Sequence, residues 1–97
     1  MIKRKGKYYV YVLECKDRTY YTGYTNDLEK RIKLHNKGLG AKYLRGKSPV
    51  RLVYVKEYKY YKRAVVMERR IKQLTRRQKE KLIGGIRLDK VLAEVRK

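Results

Sequence analysis

Nine residues near the start of the chain constrain its fold more than any others. From Lys7 to Cys15 the side chains alternate, with Tyr9, Tyr11, Leu13 and Cys15 on one face and Tyr8, Val10, Val12 and Glu14 on the other, which is the period-two pattern of a β-strand. Lys16-Asp17-Arg18 reads as a tight turn. Thr19 to Tyr24 is again rich in β-branched and aromatic residues, so the two runs form an antiparallel hairpin. Gly23 either ends the second strand or marks a close approach of backbone.

The pattern then changes period. Asn26 with Glu29 three positions later is a capping-box-like start, and Leu28, Ile32, His35 and Leu39 recur at helical spacing, predicting a helix over 27–37. A basic loop bracketed by Gly38-Leu39-Gly40 and Gly46-Lys47-Ser48-Pro49 leads to a third strand, Val50 to Tyr58. Ala64, Met67, Ile71 and Leu74 line a stripe on a helix from Tyr61 to Leu74. Thr75 and Gln78 form a capping box that opens the next helix, which Gly84-Gly85 stops. Leu88, Val91, Leu92 and Val95 mark a short closing helix. The order is β-β-α-β-α-α-α, an α+β fold with a small three-stranded antiparallel sheet flanked by helices, expected as one domain over residues 1–97.

Composition limits the partner. In 97 residues, 29 Lys and Arg face 9 Asp and Glu, a net charge of +20, and a polyanion is the natural counterpart of such a chain. The charge is not confined to a tail: residues 1–48 carry +9, residues 49–60 carry +2 and residues 61–97 carry +9. Leu, Ile and Val make up about a quarter of the chain, above the ~20% below which a charged chain stays disordered. Cys15 is the one cysteine and His35 the one histidine, which excludes an intramolecular disulfide and a cysteine-based zinc cage. No apolar stretch has the length of a membrane span, so no membrane association is expected and the cytoplasm is the expected location.

Ala41 and Gly46-Lys47-Ser48 satisfy a relaxed phosphate-loop spacing. Such a loop follows a strand and opens a helix, whereas here a helix precedes and a strand follows. Lys42, Arg45 and Lys47 are therefore read as a basic loop, either contacting nucleic-acid phosphates or simply solvated. Glu68 is more informative, because it falls inside the apolar stripe of its helix, between Val65 and Ile71. Burying an ionised carboxylate costs several kcal/mol without a compensating cation, so either a basic side chain or a metal ion faces it. Arg31 and His35, four apart, share a helix face. They suit a phosphate grip, a guanidinium fork plus an imidazole, and His35 equally suits a satisfied position in the core. The eleven tyrosines are every aromatic residue in the chain; most serve as core and sheet residues, and those of the hairpin lie beside a basic helix where phenols can stack on bases or relay protons.

Taken in order, these residues resemble the GIY-YIG nuclease domain in its small single-domain form. The two triplets appear as Tyr9-Val10-Tyr11 and Tyr21-Thr22-Gly23, separated by nine residues. Thr25 to Arg31, His35-Asn36, Gly40-Ala41-Lys42-Tyr43 and Glu68 follow, so the resemblance runs from about Tyr8 to Ile83. Tyr9 stands where the family name has Gly, and Thr22 where it has Ile.

The resemblance implies a metal-dependent endonuclease that hydrolyses phosphodiester bonds of DNA, with a place in repair or recombination. By that likeness Tyr11 is the general base toward the attacking water and Tyr21 orients water or phosphate. Arg31 stabilises the pentacovalent phosphate, His35 transfers a proton or contacts phosphate, and Glu68 binds one Mg²⁺ or Mn²⁺. With no separate sequence-reading domain identified, specificity is expected to be broad or directed by DNA structure. The alternative is a non-catalytic basic protein that binds nucleic acid, associated with RNA or the ribosome.

Overall fold

The structure, a computed structural model, describes residues 5–94; Val95, expected at the end of the closing helix, lies outside them. The elements are β1 (Lys5–Glu14), β2 (Tyr20–Thr25), α1 (Leu28–Asn36), a 3₁₀ turn (Lys42–Leu44), β3 (Arg51–Tyr60), α2 (Tyr61–Lys72), α3 (Arg76–Ile83) and α4 (Leu88–Glu94). The sheet is antiparallel with strand order β2-β1-β3.

The double-sided apolar pattern of β1 explains its central place. Val10 and Val12 join one buried cluster with Ala64, Met67, Ile71, Leu74, Leu82, Leu88, Val91 and Leu92, so α2, α3 and α4 cover that face. Tyr11, Leu13 and Cys15 join a second with Leu44 and Val50, flanked by Leu28 and Ile32 of α1. A strand with apolar side chains on both faces is stable only where both faces are covered.

Local chemistry sets the boundaries. The N-cap of α1 is Asp27 rather than Asn26: its Oδ1 accepts from the Lys30 N–H at 3.1 Å. Glu29, instead of closing a capping box, pairs with Lys33 one turn on at 3.3 Å. The helix ends at Asn36, and Leu39 stands 70% exposed beyond it. Gly23 does not end β2, which continues to Thr25, with Gly23 directly opposite Tyr11. A Cβ there would lie 2.7 Å from the Tyr11 Oη, so Gly23 marks the close approach. Both halves of the Thr75–Gln78 capping box are present. β3 passes into α2 without a loop, Tyr60 being the last strand residue and the N-cap. Among the described residues no helix is long and apolar enough to cross a membrane.

Ile71 has no exposed surface, whereas Val66 on the same helix is 39% exposed. Urea unfolding should show Ile71→Ala losing about 2–5 kcal/mol and Val66→Ala about 0.5 kcal/mol or less. Equal losses would mean that α2 does not bury this stripe.

Candidate active site

Tyr11, on the central strand, turns its ring over the bare Cα of Gly23 and toward α1. There its Oη meets Nε2 of His35 at 3.0 Å, and neither residue has any exposed surface. The other imidazole nitrogen, Nδ1, accepts from the backbone N–H of Ala41 at 3.3 Å. Gly40 lies against the ring so closely that a Cβ would come 1.9 Å from Nδ1. Tyr21, half-buried, packs edge-on to His35 with centroids 5.5 Å apart and tilted to Tyr11 at 6.4 Å. Arg31 lies one turn before His35, half-buried, and its positive charge acts on the Tyr11 phenol.

Glu68 enters from α2. It is half-buried, and its charge acts on Tyr11, Tyr21 and Tyr24. Among the described residues no Lys or Arg forms an ion pair with it, so the direct salt bridge, one of the two readings of its place on the stripe, is not formed. Beside it the hydroxyls of Tyr24 and Tyr61 are 3.2 Å apart. Tyr11, Tyr21, Arg31, His35 and Glu68 are thus drawn from four elements, two strands and two helices, into one neighbourhood.

Burial dominates the titration of this group. It pushes the Tyr11 phenol up, aided by Tyr21 and Glu68 and opposed by Arg31. Burial and then Glu68 push Tyr21 up, again against Arg31. The Tyr24 phenol is raised first by its bond to Tyr61, then by burial. His35 moves down, through burial and then the neighbouring Arg31 charge. The resting site therefore holds neutral phenols and a neutral imidazole next to a guanidinium and a carboxylate.

The basic loop divides. Lys42 and Arg45 are exposed, while Lys47 pairs with Asp17 at 3.2 Å and lies 3.9 Å over the Tyr43 ring. Asp17 is held at about 2, chiefly by the Thr19 hydroxyl and N–H and then by Lys47. Tyr43, to which sequence reasoning gave no role, stacks on Tyr21 with centroids 6.1 Å apart and so joins this loop to the site. Gly40 and the Tyr24–Tyr61 pair were also missed. Gly40 and Tyr43 stand in the Gly40–Tyr43 run, yet a ring stack and a forbidden Cβ have no periodicity to betray them.

Among the described residues no three His, Cys, Asp or Glu side chains gather as a metal cage. A closed zinc-type site does not fit. One uncompensated, half-buried carboxylate does fit a single hard divalent cation, since Mg²⁺ keeps most of its ligands as water and substrate phosphate.

A profile of the GIY-YIG catalytic domain matches residues 7–81. The chain belongs to the GIY-YIG family. Among relatives of this GIY-YIG protein, a UPF0213 protein of Clostridium perfringens is 57% identical over 77 residues, 79% of this chain and 83% of the relative. One from Halobacterium salinarum is 52% identical over 75 residues, 77% of this chain and 97% of the relative. The solution NMR structure of a UPF0213 protein from Bacillus halodurans, 49% identical, superposes with TM-score 0.54 over 80% of this chain and 83% of that one. That of an E. faecalis protein, 38% identical, gives 0.57 over 86% and 88%. The GIY-YIG family is one of nucleases, and membership implies a nucleic-acid substrate.

The lowered His35 pKa has a thermodynamic consequence. Below the ordinary imidazole value of 6.5 the unfolded chain takes up a proton that the folded protein refuses. Stability from this group is therefore complete above that value and is lost as pH falls through it toward the folded pKa. Urea midpoints measured from about pH 8 to about pH 5 should decline for the parent and flatten in His35→Gln. A parent that gains stability on acidification across this window would contradict the buried neutral imidazole.

Proposed function

We propose that this protein is a divalent-metal-dependent endonuclease acting on DNA, with broad or structure-directed specificity, in repair or recombination. The observation that carries the reading is Glu68: a half-buried carboxylate without an ion pair among the described residues, in a chain with 29 basic side chains. Glu68 would hold one Mg²⁺ or Mn²⁺, which when bound supplies positive charge to the phosphate and the leaving oxygen. Arg31 would fork onto the non-bridging oxygens, an interaction that strengthens as charge builds in the pentacovalent state. Tyr21, half-buried, orients the incoming water or phosphate. Tyr11 would receive the water's proton as a phenolate, after its own hydroxyl proton has passed to bulk water, a state that burial opposes and Arg31 favours. His35 acts from behind Tyr11. Lys42 and Arg45, exposed beside the site, contact the phosphate backbone, with Lys47 shared between Asp17 and that surface.

A second reading, a non-catalytic binder of DNA or RNA, is favoured by one observation: Tyr11 has no surface open to water. The two readings part on cleavage. Plasmid, single-stranded and branched DNA should be cut with Mg²⁺ or Mn²⁺ and not with chelator. Glu68→Ala and Arg31→Ala should each slow cutting about 10²–10³-fold, the loss typical of a group that stabilises transition-state charge. Cutting by Glu68→Ala at the parental rate would overturn the proposal, and absence of cutting by the parent on all substrates would leave the binder.

Both readings require electrostatic binding. The log of DNA affinity should fall linearly with log salt, by about 0.9 for each phosphate neutralised on a duplex. A flat response would exclude the basic surface as the DNA contact.

A further inference from the structure

We infer that His35 serves the site as a fixed hydrogen-bond donor to Tyr11, locked in one tautomer by the backbone N–H of Ala41, and that Gly40 is the residue that makes the lock possible. The bearing of this lock on catalysis rests on the nuclease reading; the lock itself does not.

The argument is one of donors and acceptors. A backbone N–H can only donate, so the Ala41 N–H, 3.3 Å from His35 Nδ1, finds a lone pair there. A neutral imidazole carries a single N–H, which must then be on Nε2. Nε2 lies 3.0 Å from the Tyr11 Oη, so the imidazole donates and the phenol oxygen accepts. The hydroxyl proton of Tyr11 consequently points away from His35. In this arrangement His35 has no free lone pair directed at Tyr11 and cannot take its proton. A proton added to the ring would go to Nδ1 and meet the Ala41 N–H head on, so the geometry disfavours imidazolium. What the imidazole can do is hold the Tyr11 oxygen, more tightly when that oxygen is charged than when it is a neutral phenol. His35 is then a positioning residue for Tyr11 and not a second base.

Gly40 is the condition for this geometry. A Cβ there would lie 1.9 Å from Nδ1 and 2.6 Å from Cε1, distances that no rotamer adjustment of a buried ring absorbs. The neighbouring loop is tied down on the same helix end: the Ser48 hydroxyl donates to the His35 carbonyl at 3.4 Å and the Val50 N–H donates to Asn36 Oδ1 at 2.7 Å. The loop therefore holds the Ala41 N–H against a helix that it also grips.

The single histidine makes the test direct. Two-bond ¹H–¹⁵N correlation spectra of the full, ¹⁵N-labelled chain at neutral pH, without metal or DNA, read both ring nitrogens. The expected result is a protonated Nε2 and a bare Nδ1. A protonated Nδ1, an averaged mixture of tautomers or an imidazolium would overturn the inference. Gly40→Ala, if its amide spectrum remains dispersed, should lose the single-tautomer signature; retention would overturn the part given to Gly40. A kinetic arm separates donor from base. Single-turnover cutting of DNA with Mg²⁺ should keep within about threefold of the parent in His35→Gln, whose amide N–H replaces the donor. His35→Leu should fall about 10- to 100-fold, the worth of a hydrogen bond to a charged group. Equal, deep losses in both variants would assign His35 as a base and overturn the donor role. Should the parent not cut DNA, the nuclease reading fails while the spectra still decide the lock.

Discussion

The bond between the Tyr11 hydroxyl and the His35 imidazole, 3.0 Å long and sealed from solvent, is where the sheet and α1 are fastened together. Two polar rings in a dry interior are tolerated only when their heteroatoms are paired, and that requirement reaches outward. Tyr11 needs a strand opposite with no side chain at Gly23, and His35 needs a loop with no side chain at Gly40 and with an N–H aimed at Nδ1. Arg31 follows, because one turn of helix before a fixed His35 places its charge where it acts on the phenol. Tyr21 follows too, packed against His35 and then against Tyr43. The open part of the site is shaped by what is buried beneath it.

Distribution of the few acids tells a complementary story. Glu14 is bonded by Arg51 and faced by Arg18. Asp17, Glu29, Glu80, Asp89 and Glu94 are paired with Lys47, Lys33, Arg76, Arg87 and Lys81. Asp27 caps α1. Surface pairs of this kind contribute little each, about 0–1 kcal/mol, but together they show where this basic chain relieves its self-repulsion. Glu57, also without an ion pair among the described residues, is on the exposed edge strand. Glu68 combines partial burial with the lack of such a pair, and its charge acts on the phenols of Tyr11, Tyr21 and Tyr24. That contrast separates it from the other acids on physical grounds, independent of any resemblance.

What could be read from the residues in advance was what depends on near neighbours in sequence. Alternation in β1, the Ala64–Met67–Ile71 stripe of α2 and the Thr75–Gln78 box are local patterns, and each forms as its spacing predicts. The start of α1 was displaced by one residue because Asn26 and Asp27 are adjacent and equally able to cap; only the reach of the Asp27 carboxylate to Lys30 decides. Gly23 left two readings open because the ring it accommodates comes from another strand. In the site, charge and helical spacing brought Arg31, His35 and Glu68 forward. Which of eleven tyrosines matter, and whether a basic side chain covers Glu68, depend on contacts between segments tens of residues apart, and Gly40 is invisible until the imidazole stands beside it.

The phenols of Tyr11 and Tyr21 are not equivalent, and the difference bears on how such a site could work. Burial sets both against ionisation. Charge on the Tyr11 oxygen would nevertheless be met by the Nε2–H inferred for His35 and by the field of the Arg31 guanidinium. Charge on Tyr21 has the Arg31 field in its favour and Glu68 against it, as on Tyr11, but among the described residues its oxygen has no imidazole bond like that of Tyr11. Of the pair, Tyr11 is the one whose anion the surrounding groups are arranged to receive, although its ring is the more deeply enclosed. Under the nuclease reading this makes proton acceptance conditional: the enclosed phenol would stay neutral until added positive charge beside Glu68 offset burial and let its proton pass to water. The same burial that keeps Tyr11 in position disfavours its ionised form, so under that reading the phenolate would form only when such charge is added.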